Sequence, residues 1–406
     1  MTTGILNSNM LPQDLAVKSF DSLITRLMPN GTAPLFGMTS MLKSETALQP
    51  EHGFYTKTAL FPFVIINGGV TASDTIWPVL STDNIVPGMV LRVSNTNAEN
   101  VLVTAVNSSN SITVQRAFGG IAAAAADQVA AYQIGNAYEE ASIRPVAVSI
   151  KARRVTNLTQ IFRNSWALSK TVAATSVIAG DSNLAENRQD CAMLHATSIE
   201  SSLFFGRKYE STKNGQPIRA MDGLISIVSN LAYYPASYAT PNITTAGGTT
   251  NYTQLETMLD PVFNQTTDPK VANERVLFVG GVARRVLNNI GRLNGTYYLV
   301  DGQTSYGLQF SSFKIARGTF RMIEHPLFNS NPVWASMAIA VDLSTFAIAY
   351  LTGRKTESLE FNSNNQTAVD FGIDAQGGTL TTEMTCTAKN PPANAIIYGL
   401  TAAAQG

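Results

Sequence analysis

The most constraining feature of the sequence is a long helix with little apolar surface. Asn183 and Glu186 match a capping box, and the segment continues to about Gly206 without proline or internal glycine. About 24 residues at ~1.5 Å each predict a rod of roughly 36 Å. Its sparse apolar positions are Leu184, Cys191, Leu194, Ile199 and Leu203. So thin a stripe indicates a spine that packs against a sheet on one side.

The end of the chain supplies strands for such a sheet. Residues 380–388 alternate strictly between a mostly apolar set and a polar set, which predicts a half-buried strand. The first set is Leu380, Thr382, Met384, Cys386 and Ala388, and the second is Thr381, Glu383, Thr385 and Thr387. Asn390-Pro391-Pro392 then predicts a turn, and residues 395–400 are predicted to form the partner strand.

Residues 221–350 have an α/β pattern. Thr253 and Glu256 match a capping box before an apolar helical repeat. Residues 276–279 predict a buried strand that leads through Gly280-Gly281 into a helix over 282–290. Residues 314–323 and 337–343 are further predicted strands.

The first part of the chain predicts an arm. A helix is predicted over residues 14–28 and ends at Pro29-Asn30-Gly31. Residues 34–42 follow as an apolar segment with no clear period, so we expect an irregular arm. It needs another surface to lie along, because it cannot bury its own side chains.

A small β-module is predicted inside a long extended excursion. Residues 53–66 and 138–150 are predicted as its two strands, and residues 74–136 between them hold short β-like runs separated by turns. The runs are residues 90–93, 101–106, 112–118 and 129–132. The predicted core of the module consists of Val90, Val101, Val103, Ile112 and Val114.

Composition favours self-association. The 28 Lys and Arg residues balance 28 Asp and Glu residues, and charged residues make up 14% of the chain where about a quarter is typical. Little repulsion would keep copies apart. A neutral monomer with a polar surface stays open. Zero net charge argues against a protein whose main task is nucleic-acid binding.

Targeting and redox signals are weak. Two cysteines cannot build a disulfide framework, so we expect free thiols and a reducing compartment. We find no secretory signal and no run of eighteen apolar residues, so no membrane contact is predicted.

The candidate chemistry is poor. None of His52, His195 and His325 lies in a nucleophile-elbow context, so each is predicted to be structural or solvated. Cys191 and His195 could share a helix face, but two ligands are half a zinc site. Glu139 and Glu140 form a weak acid pair, because neighbours in a strand point to opposite faces.

Two further patterns were weighed as anion or nucleic-acid sites. Gly280-Gly281 with Arg284 and Arg285 is similar to a phosphate-binding turn, but lacks the glycine spacing and the lysine of such motifs. Lys151, Arg153 and Arg154 suit protection of a strand edge or a salt bridge between subunits. We therefore predict no catalytic, cofactor-binding or metal site, and no enzyme.

The order of these parts resembles the major capsid proteins of tailed bacteriophages, which have the Hong Kong 97 fold. It resembles most the subgroup with a β-module inserted in the extended loop. The matching stretches are Leu27-Met-Pro-Asn-Gly31, Ala33-Pro-Leu-Phe36, Val101-Leu-Val-Thr-Ala-Val106, Thr113-Val-Gln-Arg116, Gly119-Gly120, Ile134-Gly-Asn-Ala-Tyr-Glu-Glu140, Thr159-Gln-Ile-Phe162, Leu168-Ser-Lys-Thr171, Lys389-Asn-Pro391 and Ile397-Tyr-Gly-Leu400.

The resemblance implies an α+β fold with a spine helix, peripheral and axial domains, and an inserted small β-barrel module. Residues 1–50 would be the N-terminal arm and 51–165 the extended loop, with the module at 74–136. Residues 166–225 and 355–406 would form the peripheral domain, and residues 226–354 the axial domain.

The implied function is that of a major capsid protein. It would self-assemble through hexamers and pentamers into the icosahedral shell of a virion around double-stranded DNA, contacted without sequence readout. Synthesis and assembly would take place in the cytoplasm of the host bacterium. Portal and scaffolding proteins would be partners, the latter unless a precursor segment has been lost, and a decoration protein is compatible with the resemblance.

Two other classes of function stay open from the sequence. One is another phage structural protein or adhesin built from β-modules, and the other is an α/β enzyme with an unrecognised site in residues 226–354. The resemblance does not specify the triangulation number, the host, the tail morphology or crosslinking.

Overall fold

The predicted spine helix is present in the computed structural model as a helix from Asn183 to Phe205. Its buried side chains include Cys191, His195, Ile199 and Leu203, which recur every four residues along one face. Leu194, predicted to belong to the stripe, is exposed. The helix packs against two strands of one sheet, as its thin apolar stripe predicted.

The structure describes residues 33–41, 44–57, 62–94, 99–148, 152–175, 183–234, 240–264, 273–294, 303–305, 308–362 and 372–404. The helix predicted over residues 14–28 lies outside them. The α-helices are α1 (Pro34–Met41), α2 (Lys170–Ala174), α3 (Asn183–Phe205), α4 (Leu224–Ser229), α5 (Tyr252–Leu259), α6 (Gly281–Asn294), α7 (Pro326–Asn329) and α8 (Pro332–Ala335).

The strands in the first half of the chain are β1 (Glu45–Ala47), β2 (Glu51–Thr56), β3 (Phe63–Ile65), β4 (Ile76–Pro78), β5 (Met89–Val93), β6 (Asn100–Ser108), β7 (Ser111–Gly119), β8 (Ala130–Asn136), β9 (Arg153–Leu158) and β10 (Gln160–Ser169). Those in the second half are β11 (Tyr209–Lys213), β12 (Gln216–Ala220), β13 (Ile243–Thr250), β14 (Glu274–Val279), β15 (Gln303–Ser305), β16 (Leu308–Ile315), β17 (Gly318–Glu324), β18 (Ala338–Val341), β19 (Phe346–Leu351), β20 (Glu357–Phe361), β21 (Ala375–Ala388) and β22 (Ala395–Ala403).

Contacts divide the chain into two compact units. The first unit comprises residues 1–52, 157–226 and 244–406, and the second comprises residues 53–156 and 227–243. The first unit holds the spine helix and two large sheets, and the second holds a six-stranded sheet.

The spine helix of the first unit packs against β10 and β21, which belong to a five-stranded sheet. The order of this sheet is β1-β19-β21-β10, and β20 also pairs with β21. The predicted strand over residues 380–388 is therefore confirmed within β21, but the prediction that it is half-buried is wrong. Glu383, Thr385 and Thr387, which belong to the opposite set of side chains from Met384 and Cys386, are buried as well, so both faces of β21 are covered there.

The second sheet of the first unit has seven strands, in the order β13-β22-β18-β14-β17-β16-β15. The strand over residues 276–279 and the helix that follows it are confirmed as β14 and α6. The predicted pairing of residues 395–400 with residues 380–388 is wrong, because β22 pairs with β18 in this sheet. The helix α5 begins two residues earlier than predicted, with Asn251 and Gln254 as its capping box.

The six-stranded sheet of the second unit has the order β3-β8-β5-β6-β7-β4. An antiparallel bridge joins Ile66, directly after β3, to Val79, directly after β4. The two end strands of the sheet are therefore linked to each other. Its core includes Trp77, Leu91 and the predicted residues Val101, Val103, Ile112 and Val114, and Val90 is buried too. Residues 137–148, predicted to be extended, lie outside any strand, and β2 pairs with β9.

The apolar segment after the predicted arm helix is not irregular. Residues 34–41 form helix α1, in which Leu35, Met38 and Thr39 are buried. The helix packs against α3 and β19, so its burial comes from parts of the chain distant in sequence.

Candidate functional site

His195 lies at the centre of a buried polar chain on the spine helix. Its Nδ1 lies 2.8 Å from Oδ1 of Asn164, and its Nε2 lies 2.8 Å from Oγ1 of Thr382. Because the Asn164 oxygen can only accept, Nδ1 carries the proton and Nε2 accepts from the Thr382 hydroxyl. Burial lowers the pKa of His195, which favours this neutral form.

The order hydroxyl, imidazole and amide has the form of a nucleophile with its base and orienting group. However, Thr382 is 0% exposed and His195 is 4% exposed, so no substrate can meet the hydroxyl. The hydrogen bonds of Asn164, His195 and Thr382 instead hold β10, α3 and β21 to one another. His195 and Cys191 do not form a metal site either, since the described residues contain no group of three or more His, Cys, Asp and Glu side chains that could hold a metal ion.

His52 lies at a partly exposed charged cluster near the start of the first unit. Its Nε2 is 3.4 Å from Oε2 of Glu45, and Lys389 pairs with the other carboxylate oxygen. Burial favours the neutral carboxyl, but the hydrogen bonds of Lys389 and His52 together outweigh it, so the pKa of Glu45 lies below its ordinary value. The cluster ties β1 to the residue after β21.

His325 is fully buried beside the spine helix. Its Nε2 lies 2.7 Å from Oε1 of Glu200, and its Nδ1 accepts a hydrogen bond of 3.1 Å from the Leu327 amide. The same carboxylate accepts hydrogen bonds of 2.8 Å from the Leu35 amide and 2.7 Å from the Phe36 amide. Glu200 therefore joins three segments of the first unit, namely α1, α3 and the corner after β17.

Both thiols are free and buried. Cys386 Sγ–H donates to the backbone oxygen of Asp222 at 3.0 Å, and burial, with a smaller effect of the Asp222 charge, raises its pKa to about 12. Burial also raises the pKa of Cys191. Neither thiol has the thiolate character of a reactive cysteine.

The glycine turn before α6 does not form a phosphate cradle. The Gly281 amide already donates to Oδ1 of Asn329 at 2.6 Å. A Cβ on Gly280 would lie 2.3 Å from the backbone oxygen of Ala335, so the turn requires glycine for close packing. Arg284 pairs with Glu324 at 3.0 Å, and Arg285 is exposed.

The other predicted charged residues lie at the surface. Glu139 and Glu140 are exposed in an irregular segment with a turn, not in a strand. Arg153 donates to the backbone oxygens of Ala232 and Tyr234 in the second unit. Arg154 is exposed, and Lys151 lies outside the described residues.

A second buried carboxylate was not predicted at all. Glu99 in the six-stranded sheet receives two hydrogen bonds from Arg116, of 2.9 and 2.6 Å, and one each from the amides of Ala117 and Ala123. Arg116 also donates to the backbone oxygens of Thr71, Asp74 and Ala123 and lies over the Trp77 ring. All these groups lie in the second unit.

One sequence signal could have indicated that helix α1 is capped by a residue outside its own segment. Helix α1 starts after Ala33, whose side chain cannot accept a hydrogen bond, although helices usually start after Ser, Thr, Asp or Asn. A missing local cap indicates that the cap comes from elsewhere. The pattern does not say from which residue.

None of the described helices has the length and apolarity needed to span a membrane. The described networks of His195 and Glu200 join segments of the first unit that are distant in sequence.

Comparison with known proteins identifies the class. The family model for the SU10 major capsid protein matches residues 1–401. The chain is 36% identical over 407 residues to the major capsid protein of Pseudomonas phage PaMx41, covering 98% of this chain and 96% of the relative.

Solved structures give more distant similarities. The capsid of a native GTA particle has a TM-score of 0.48 and 8% identity, covering 98% of this chain and 100% of that chain. The capsid of cyanophage A-1(L) has a TM-score of 0.47 and 10% identity, covering 97% and 100%.

The match over nearly the whole chain defines a major capsid protein of a tailed phage, which forms the capsid shell. The chain belongs to the SU10 major capsid protein family. The resemblance to phage major capsid proteins is confirmed, and so is the mixed α+β class of the fold.

Proposed function

We propose that copies of this chain form hexamers and pentamers of a closed icosahedral shell around double-stranded DNA. The observation that carries the proposal is the family match over residues 1–401, which spans the arm, both units and the closing strands. Closed symmetry lets one chain build a large shell, because each copy uses the same surfaces. The low charged fraction of 14% favours such association.

We assign residues 1–50 to the arm, 51–165 to the extended loop, 166–225 and 355–406 to the peripheral domain, and 226–354 to the axial domain. Strand pairing supports two changes to these domain boundaries. β22 pairs with β18, which favours placing β22 in the axial domain. β19 pairs with β21, which favours placing β19 in the peripheral domain.

We further assign the six-stranded sheet to an inserted β-barrel module in the extended loop. The bridge between Ile66 and Val79 and the separate core support this assignment. The participation of β3 favours a module that starts near residue 62, earlier than residue 74.

The partners of this shell would be a scaffolding protein, a portal protein and packaged DNA, and a decoration protein is compatible with it. Assembly would take place in the cytoplasm of the host bacterium. We propose no catalytic role, because the arrangement among the described residues that resembles a nucleophile and its base has Thr382 fully buried.

Electron microscopy of the purified, concentrated chain tests the proposal. We expect closed polyhedral shells, or rings of six and five copies. An unrelated neutral protein of similar mass at the same concentration is the control. Particles that stay single, or that form only open fibres, would contradict closed assembly.

A further inference from the structure

The first turn of helix α1 has no cap of its own. The first intrahelical hydrogen bond runs from the Gly37 amide to the Ala33 oxygen, at 2.9 Å. Pro34 has no amide hydrogen, so Leu35 and Phe36 carry the two N–H groups that lack an acceptor within the helix. Leaving such groups buried and unpaired is unfavourable.

Glu200 supplies the missing cap from the spine helix. Its two oxygens each accept one of these amides, Oε1 from Leu35 at 2.8 Å and Oε2 from Phe36 at 2.7 Å. A carboxylate at this end of a helix is also favoured by the helix dipole. Both amide hydrogens that lack an acceptor within α1 are therefore bound to one side chain, which is 165 residues from Leu35 and 164 from Phe36.

His325 completes the site with a third hydrogen bond to Glu200. Nδ1 of His325 accepts from the Leu327 amide, so the proton of the neutral ring lies on Nε2 and is donated to Glu200. The side chains of His325 and Glu200 are 0% and 1% exposed. The buried carboxylate thus has three described donors, all of them neutral, and two of the three belong to α1.

We propose that Glu200 and His325 form a docking site for the start of helix α1. This releasable contact, called the latch below, keeps the arm docked on the spine helix. While α1 is docked, the Glu200 carboxylate is satisfied, and its two oxygens bind α1, the spine helix and the His325 corner together. When α1 leaves, a carboxylate buried between α3 and His325 loses two of its three donors. Withdrawal of the arm therefore loosens the contact between the spine helix and the His325 corner.

The occupant of the site is residues 34–41 of the same chain. Leu35 and Met38 are 0% and 3% exposed, so the apolar side of α1 is buried when the polar latch is closed. The inference rests on the assignment of α1 to the arm. Its test uses unassembled subunits, so failure of the latch and failure of shell formation are separate results.

The test is hydrogen–deuterium exchange on the unassembled full chain carrying Glu200→Gln. The amide of Gln can replace one oxygen, but its NH₂ group then faces the N–H of Leu35 or Phe36. We expect exchange at residues 35–41 to become at least about tenfold faster, because a hydrogen bond to a charged group contributes roughly that factor. Peptides around His325 should also exchange faster, whereas β14 and β18 should not.

Asp190→Asn is the matched control, since it removes one exposed acid from the same helix. It should leave residues 35–41 unchanged. Glu200→Asp is the second variant: it keeps the charge but is too short to bind both amides, so it should also speed exchange in α1.

Three results would overturn the latch. The first is unchanged exchange at residues 35–41 in both Glu200 variants. The second is loss of the whole fold in both, which would make Glu200 part of the core and not a releasable contact. The third is protection of α1 that depends on protein concentration, which would make the occupant the α1 of a second copy.

Discussion

Each of the two units contains a buried carboxylate, Glu200 in the first and Glu99 in the second, and the two stabilise their own units in different ways. Glu99 and Glu200 each accept hydrogen bonds from two backbone amides and one side chain. The partners of Glu99 lie 17 to 24 residues away, and its side-chain partner is the cation Arg116. The partners of Glu200 lie 125 to 165 residues away, and its side-chain partner is neutral histidine.

The difference shows what each site stabilises. All partners of Glu99 lie within 24 residues of it and in the second unit, so this network stabilises that unit locally. The Glu200 network joins segments that are remote in sequence, so it can be opened by moving one of them. Losing Arg116 would leave the Glu99 charge buried and uncompensated, whereas undocking α1 would remove two of the three described donors of Glu200.

The largest effect should come from Arg116→Met, which leaves the Glu99 carboxylate buried without its cation. Removing one partner of a buried pair destabilises by about 3–5 kcal/mol. Urea unfolding, with hydrogen exchange measured on β5 to β8, should show this loss in the six-stranded sheet. Arg92→Met, at an exposed arginine of the same sheet, is the control. An equal loss in β14 to β18 would show that the two units do not unfold separately.

Gly280→Ala should destabilise the seven-stranded sheet and leave the six-stranded sheet unaffected. Its Cβ would lie 2.3 Å from the Ala335 oxygen, and overpacking of this kind costs about 1–3 kcal/mol. The same exchange experiment should show the change in β14 to β18, with β5 to β8 unaffected. Gly247→Ala, with no atom within 4 Å of the new Cβ, is the control and should differ little from the parent chain.

Acid should weaken the six-stranded sheet through Glu99. Burial favours the neutral carboxyl, but the hydrogen bonds from Arg116, Ala117 and Ala123 outweigh it, so the pKa of Glu99 lies below its ordinary value of 4.5. A lowered pKa in the folded state means that this stabilisation is fully present above pH 4.5 and is lost as the pH falls through the folded-state pKa.

The measurement is the free energy of unfolding of the sheet between pH 6 and pH 3, in the parent chain and in Glu99→Gln. The variant should be less stable at pH 6 and should lose less stability on acidification. Parallel pH profiles in the two proteins would assign the acid sensitivity to other carboxyls.

The smallest effect should be on thiol labelling. Cys191 and Cys386 both lie in the first unit, and Cys386 has a pKa of about 12. We expect slow alkylation of the native chain and two adducts in denaturant without reductant. Arg116→Met should not change the native labelling rate. Faster labelling of Cys386 in that variant would show that the two units open together.

The elements that could be predicted are those with a local pattern. The spine helix has its own start signal and a long interval free of proline and glycine, and its bounds were predicted to within a residue or two. The strand β14 with the helix α6, and the strands β5 to β8 of the six-stranded sheet, also follow from short-range periodicity and turns. The family followed from their order along the chain, and sequence comparison confirmed it.

The parts that could not be predicted depend on partners far away in the chain. Residues 34–41 have no helical period and no cap, and they are helical because α3 and β19 cover them and Glu200 caps them. Strict alternation in residues 380–388 suggested one solvent face, but the folded chain covers both faces of β21 over most of this stretch. The pairing of β22 with β18 likewise depends on which sheet is nearest in space.

The amino-acid sequence by itself determined the bounds of the spine helix, the positions of several strands and helices, the absence of a charge excess and the family. Local backbone preferences, caps and apolar periods act over a few residues, and they can be recognised without knowing the rest of the fold. The tertiary structure alone decided that Glu200 caps α1, that His325 donates to Glu200, and that Ile66 meets Val79. Each of these contacts forms because a buried polar group or an open strand edge needs a partner, and the folded chain determines which residue is near enough to supply it.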